Sequence, residues 1–245
     1  MRVPRIHTSQ ALSNAIELVL EPEASHHLTK VLRMGVGDAV TLFNGKGGEY
    51  ASTIGAIARK AVTIKVGKRQ DNDRESPLAI HLGIAISRGE RMDWIIQKAT
   101  ELGVRQISLL FTERVAVKLS GDRVEKKMRH WQEVAISACE QCSRNISPRL
   151  FPPQNMSGWL AATEAMRKFV LHHGATPLPD ALGEPSSIAL LVGPEGGLST
   201  TEIEQAEKNG YMALSLGPRV LRTETAPLAA LAILQSKWGD MKTSA

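Results

Sequence analysis

Two rhythms of apolar and polar positions divide the chain. Up to about residue 67 the apolar runs are short and interleaved with polar residues. Residues 16–20, 38–43, 50–57 and 61–66 each read as a strand, and Gly45, Gly47 and Gly48 mark a tight turn between two of them. One helical stretch, residues 23–33, interrupts this pattern, and the whole reads as a small β-barrel. From residue 78 the rhythm changes to strand, helix, strand, helix. Residues 78–86 form an apolar strand. Residues 88–102 form a helix with Met92, Ile95, Ile96, Ala99 and Leu102 on one face and Gly103 as its stop. A strand at 106–111 follows, then a long helix capped by Ser120 or Asp122 and reaching about Ser143, ahead of Pro148. Residues 169–172 and 188–192 are short apolar strands. Thr200 or Thr201, with Glu202 and Glu204 close behind, opens another helix. A strand at 212–216 and a closing helix at 226–238 end the pattern, which predicts an α/β fold with a parallel sheet.

The charged, proline-closed stretch 68–77 reads as a linker. The expected division is therefore a barrel domain at 1–72 and an α/β domain at 73–245. A hydrophobic share of 42% is enough for a real core, and an aromatic share of 4% makes that core aliphatic. So few aromatics also argue against a stacking platform for single-stranded RNA. The formal net charge of +5 suits a polyanionic partner; residues 1–77 carry +3 of it and the remainder +2. No apolar run of about 18 residues exists to cross a membrane, and the first ten residues lack the apolar core of a signal peptide. A cytoplasmic protein is expected. Cys139 and Cys142 are too few for a disulfide framework. Their CxxC spacing falls late in a helical pattern with no second pair, so helix packing is preferred to a redox or zinc role. No His, Cys and carboxylate set has recognisable ligand spacing, and no metal is expected.

The most informative segments are two strand ends. Residues 190–199 run from an apolar strand through Gly193, Pro194, Glu195, Gly196 and Gly197 into a helix start. Residues 216–226 repeat the arrangement: Leu216 and Gly217, then a proline and a loop with Arg219, Arg222, Thr223 and Glu224, again entering a helix. Glycines at such places let the backbone approach a ligand, and ligands in open α/β sheets sit beyond the carboxyl ends of strands. Neither segment is a GxGxxG or phosphate-loop pattern, and an ordinary tight turn is the plainer alternative for each alone. Two of the same kind favour one shared cleft.

Those segments carry a resemblance. VGPEGGLSTTEI at 192–203 and LGPRVLRTETAPLAAL at 216–231 resemble the C-terminal signatures of the RsmE family, 16S ribosomal RNA uridine N3-methyltransferases of the SPOUT superfamily. SRGERMDWIIQKATELGV at 87–104, ACEQCSRN at 138–145 and HHLTKVLRMGVGD at 26–38 are similar to further family segments, in order along nearly the whole chain. The resemblance implies a trefoil-knotted SPOUT domain behind a PUA-like barrel, S-adenosylmethionine as cofactor, a homodimer, and 16S rRNA of the small ribosomal subunit as partner. Carried residue by residue, it implies cofactor contacts at Val192, Gly193, Pro194, Glu195, Gly196 and Gly197. It implies others at Leu216, Gly217, Leu221, Arg222, Thr223, Glu224, Thr225 and Ala226, with Leu171, His172 and Gly174 as a third wall. Methylating uracil N3 requires loss of its proton, so a cation and a proton acceptor are needed. Arg222 is the candidate cation, and Glu224 or Glu140 the candidate acceptor. Expected RNA contacts are Arg2, Arg5, Lys30 and Arg33 in the first domain. In the second they are Lys118, Arg123, Lys126 and Arg144 on or near the long helix. Modification of a different RNA atom, or RNA binding without catalysis, are the alternatives.

Overall fold

Hydrogen bonding sorts the strands of the computed structural model, which describes residues 3–59, 61–115, 121–178 and 183–242, into two six-stranded sheets. Each sheet belongs to one of two units. One comprises Met1–Glu75 and Ile136–Ser147, the other Ser76–Ala135 and Pro148–Ala245.

In the first unit the strands are β1 (Arg5–His7), β2 (Glu17–Val19), β3 (Ala39–Phe43), β4 (Glu49–Ala58), β5 (Ala61–Lys65) and β6 (Arg69–Gln70). They pair in the order β1-β3-β4-β5-β2, with β6 also on β4. Alternation along β3, β4 and β5 turns Val40, Leu42, Ile54, Val62 and Ile64 into one core with Ile6, Leu20 and Leu28. The helix α1 (Pro22–His26) continues into a π turn at His27–Val31, and Leu28 of that turn enters the core.

Residues 136–147, which the linear reading assigned to the second domain, pack with this unit. The cause is a set of polar links, two of them buried ion pairs. The Arg5 guanidinium pairs with Glu49 and donates to Asn145 Oδ1 at 2.6 Å. Arg144 pairs with Glu75 at 2.5 Å, each side chain 3% exposed. Arg74 donates to the Ser143 carbonyl at 3.1 Å, and the Asn145 amide to the Asn72 carbonyl at 2.8 Å. A backbone bridge joins Lys46 to Ile146. Charges this far from water persist only when paired and hydrogen-bonded.

The second unit carries β7 (Ala79–Ala85), α2 (Arg91–Glu101), β8 (Gln106–Phe111), α3 (Asp122–Cys142), β9 (Arg149–Asn155), α4 (Met156–Ala162), β10 (Arg167–Leu171), β11 (Ser187–Val192), α5 (Thr200–Lys208), β12 (Met212–Leu214) and α6 (Thr225–Trp238). The last turns of α3 fall in the segment that packs with the first unit. The sheet is wholly parallel, in the order β12-β10-β11-β7-β8-β9. Central strands β7 and β11 are covered on both faces, which explains their unbroken apolar runs. On one face Ile80, Leu82 and Ile84 meet Met92, Ile95 and Ile96 of α2 and Leu231 and Leu234 of α6. On the other, Ala189 and Leu191 meet Trp159 and Leu160 of α4. Gly83 makes room for that tryptophan: a Cβ there would stand 2.5 Å from the indole. Strand β9 and helix α4 have no counterpart in the sequence reading. Pro152 and Pro153 disguise β9, and they are accommodated because it is an edge strand with a register shift against β8.

Against the edge of Trp159 lies a half-buried histidine. His81 Nε2 accepts from Trp159 Nε1 at 3.2 Å and lies 2.8 Å from Ser108 Oγ. Burial pushes its pKa down to about 4 from the usual 6.5. Protonation would also set a ring N–H against the indole N–H. Because the folded form binds its proton later than the unfolded chain, stability is complete above pH 6.5 and falls as pH drops towards 4. The shift limits that loss to about 3 kcal/mol. Urea unfolding at pH 7.5 and pH 4.5 measures it, and His81→Gln should lose less stability over that interval than the wild type. Equal losses in both proteins would remove His81 as the cause.

Candidate functional site: a cleft at three strand ends

Strands β10, β11 and β12 are parallel neighbours, so their carboxyl ends at Leu171, Val192 and Leu214 open side by side. The loops that follow enclose a cleft of about 750 Å³, counting its open mouth, within the range of small-molecule sites. Its walls are largely apolar, with Val192, Pro194, Leu198, Leu214, Leu216 and Leu221, while His172, His173, Glu195, Ser215, Arg219 and Thr223 supply polar groups. Two glycines are needed for this shape. Gly217 sits at φ +101°, and a Cβ on Gly193 would stand 3.0 Å from both Leu198 Cγ and Leu198 N.

Polar bonds hold the loops. Ser199 caps α5: its hydroxyl accepts from Glu202 N–H at 3.2 Å, and Glu202 Oε2 accepts from Ser199 N–H at 2.8 Å. The other Glu202 oxygen accepts from Glu113 N–H at 2.8 Å, so one buried carboxylate ties the turn after β8 to the turn after β11. Arg114 of that first turn donates to the Gly196 carbonyl at 2.8 Å and lies over Gly196. The first residue of α2, Arg91, pairs with Glu195 at 2.6 Å and with Glu224 at 3.7 Å. Burial acts to raise the Glu195 pKa, but its own backbone N–H, the Arg91 guanidinium and the Arg88 N–H outweigh it and hold the carboxyl below its usual value. At the start of α6, the Thr225 and Ala226 N–H groups donate to the Arg222 carbonyl, both at 2.9 Å.

Twelve of the residues carried over for the cofactor line this cleft: Leu171, His172, Val192, Gly193, Pro194, Glu195, Gly197, Leu216, Gly217, Leu221, Thr223 and Ala226. Five do not. Gly174 lies in the turn beyond His172, and Gly196 is covered by Arg114. Arg222 and Thr225 are exposed, and Glu224 is half-buried beside Arg91. His173, Leu198, Leu214, Ser215, Arg219 and Val220 line the cleft without having been selected. Their signal was adjacency, since each stands within two residues of a chosen one.

Three other expectations are corrected. Glu140 is absent from the cleft lining; it accepts the His7 N–H at 2.9 Å, and its segment packs with the first unit. Burial pushes its carboxyl above the usual range despite that bond. Arg5 and Arg144, expected on RNA phosphates, are 6% and 3% exposed and committed to Glu49 and Glu75. Using either on a phosphate would strand a buried carboxylate. Lys30, Arg33, Arg123 and Lys126 are exposed, and Arg2 and Lys118 lie outside the described residues. Burial pushes the Cys139 thiol up to about 12, so it is no redox nucleophile. Among the described residues, no group of three or more His, Cys, Asp or Glu could hold a metal ion, and no helix is long and apolar enough to cross a membrane.

The RNA methyltransferase domain family matches residues 74–235, and the RNA methyltransferase PUA domain family matches residues 20–67. Ribosomal RNA small subunit methyltransferase E of Buchnera aphidicola is 37% identical over 243 residues, covering 98% of this chain and 96% of that protein. The protein of the same name from Bacillus subtilis is 30% identical over 237 residues, 93% of each chain. Among solved structures, a Legionella pneumophila methyltransferase in complex with its bound cofactor SAM is similar at a TM-score of 0.95. It is 42% identical, with 98% of this chain and 100% of that one covered. Ribosomal RNA small subunit methyltransferase E of Neisseria gonorrhoeae, bound to S-adenosyl methionine, gives 0.92 at 37% identity, with the same coverage.

Glu202 gives the site a direct test. Glu202→Gln keeps one acceptor oxygen and turns an amide N–H₂ towards a backbone N–H. The variant should lose about 1–3 kcal/mol in urea unfolding, the cost of one unsatisfied buried donor. Unchanged stability would mean that the carboxylate does not hold the two turns.

Proposed function

The chain belongs to the ribosomal RNA small subunit methyltransferase E family, and from that membership we propose that it transfers a methyl group from S-adenosylmethionine to N3 of a uridine in 16S rRNA, in the cytoplasm. The observation that carries the reading is the cleft at the ends of β10, β11 and β12.

The residues present fit the cofactor. Gly193, Gly197 and Gly217 line the cleft without side chains, so a ligand can approach the backbone there closely enough to bond its amides and carbonyls. Val192, Leu214, Leu216 and Leu221 offer apolar surface to the ring faces. When bound, the cofactor supplies a methyl group already activated by its sulfonium. The protein's part is to hold the uracil in line with that methyl group, where orientation gives most of the rate. As N3 loses its proton, negative charge spreads to the flanking carbonyl oxygens. Arg222, exposed beside the cleft loop, is the cation for that charge, and Glu224, one residue from Thr223 in the cleft wall, is the acceptor for the proton.

Three parts of the reading concern architecture. The chain places β11 between β10 and β7, sets β12 beyond β10, then returns to pack α6 on α2. A trefoil knot through the 193–199 and 215–224 loops accounts for that path. The first unit's sheet is the PUA-like barrel that holds RNA. A second copy of the chain covers α6, which is apolar around most of its circumference and leaves Ile233 43% exposed.

Wild-type protein should bind S-adenosylmethionine in titration calorimetry and, given small-subunit RNA, yield 3-methyluridine in a nucleoside digest. Arg222→Ala should keep cofactor affinity and lose about 10²–10³-fold in kcat. Failure to bind at millimolar cofactor, or a methyl group on ribose or another base, rejects the reading. Substituting Lys30, Arg33, Arg123 and Lys126 together by Ala should flatten the slope of log K against log salt for RNA by about three. An unchanged slope removes these four as phosphate contacts.

A further inference from the structure

Arg91 is unusual for its position. It is the first residue of α2, whose N-cap, Glu90, makes no side-chain capping bond. Unsatisfied backbone N–H groups give that end of a helix positive character, so a cation there is locally unfavourable. The sequence around it, Gly89-Glu90-Arg91-Met92-Asp93, reads as an ordinary solvated helix start.

The guanidinium instead spans two loops. Its NH1 lies 2.6 Å from Glu195 in the loop after β11, and its Nε 3.7 Å from Glu224 in the loop after β12. Both loops wall the cleft. Among the described residues no other ion pair reaches either glutamate. The remaining link is the Arg88 N–H to Glu195 at 3.3 Å, from the same β7–α2 connection. The two loops are separated by α5 and β12, and among the described residues neither carries a cation that pairs across to the other. Arg91 comes from a third segment and supplies that pairing to both.

We infer that Arg91 is a positioning residue that sets the spacing between the two cleft walls, so that cofactor affinity depends on it while fold stability does not. This rests on the cofactor reading above. The stability half follows from exposure. The arginine side chain is 41% exposed and its partners 36% and 25%, so water and salt screen both pairs, and removing the charge relieves its conflict with the helix end. The affinity half follows from geometry. A planar fork can hold two carboxylates at fixed angles, and an ammonium at the same place can hold only one firmly.

The experiment compares wild type, Arg91→Gln and Arg91→Lys as full-length protein, with S-adenosylmethionine as the titrant. Thermal unfolding of both variants without cofactor should stay within about 2 °C of wild type. Arg91→Gln should bind the cofactor about tenfold to hundredfold more weakly, the cost of a misplaced wall, with Arg91→Lys between the two. Raising salt should weaken the wild type more than Arg91→Gln, and kcat at saturating cofactor should fall less than the affinity. Wild-type affinity in Arg91→Gln overturns the inference. So does a large fall in melting temperature that tracks the loss of binding, because Arg91 would then serve the fold. A wild type that binds no cofactor rejects the proposed function first and this inference with it, whereas a binding wild type with an indifferent variant rejects only the inference.

Discussion

Parallel neighbours cannot be joined by a tight turn. Each pair among β7, β8, β10, β11 and β12 needs a crossover, and every strand therefore ends on the same edge of the sheet. That constraint puts the segments after β10, β11 and β12 at one place, although they are separated in sequence. Before α5 and α6 begin, these loops satisfy backbone groups locally, as the Gly197 N–H does on the Pro194 carbonyl and the Gly217 N–H on the Ser215 hydroxyl. Glycine is the residue that permits it, which is why the two glycine-bearing strand ends and the cleft are one feature.

A cleft built of loops has to be braced from outside, and two kinds of brace are present. Glu202 is buried and fully committed to backbone donors on two turns, so it behaves as part of the fold. Arg91 is half-exposed, bonded to side chains, and placed where its own helix would prefer an anion. Desolvation separates them: a buried carboxylate without its donors is expensive, while a screened surface cation is nearly neutral to stability. The same distinction governs the first unit, where Arg5 with Glu49 and Arg144 with Glu75 secure residues 136–147.

The regular elements were legible where one period dominates. The face of α2 made by Met92, Ile95, Ile96 and Ala99 is buried as its spacing requires, and the central strands read as apolar runs because both of their faces are covered. The two glycine segments were legible through composition at strand ends. Short or atypical elements were not. Strand β1 has three residues and only one fully buried, β9 contains two prolines, and α4 follows it directly. The closing helix begins at Thr225, where the Arg222 carbonyl accepts the Thr225 and Ala226 N–H groups, and the last strand stops at Leu214, two residues before the expected end.

Charged residues were the least legible, and for a physical reason. An arginine on a phosphate and an arginine on a buried carboxylate have the same letter and the same polar neighbours in sequence; only the partner's burial separates them. Arg5 and Arg144 were read as RNA contacts and Glu140 as a proton acceptor, yet each has a partner brought in by tertiary packing from a distant segment. Arg91 is the converse, unremarkable in sequence because its partners lie more than a hundred residues away. Where partners are local in sequence a linear reading comes closer: it found the start of α5 and Glu202 behind it, but placed the opening residue at Thr200 or Thr201, whereas Ser199, three positions before Glu202, makes the cap. Function in this unit therefore divides: the ligand-facing surface is encoded locally in two short segments, and its bracing is encoded by single side chains scattered through the chain.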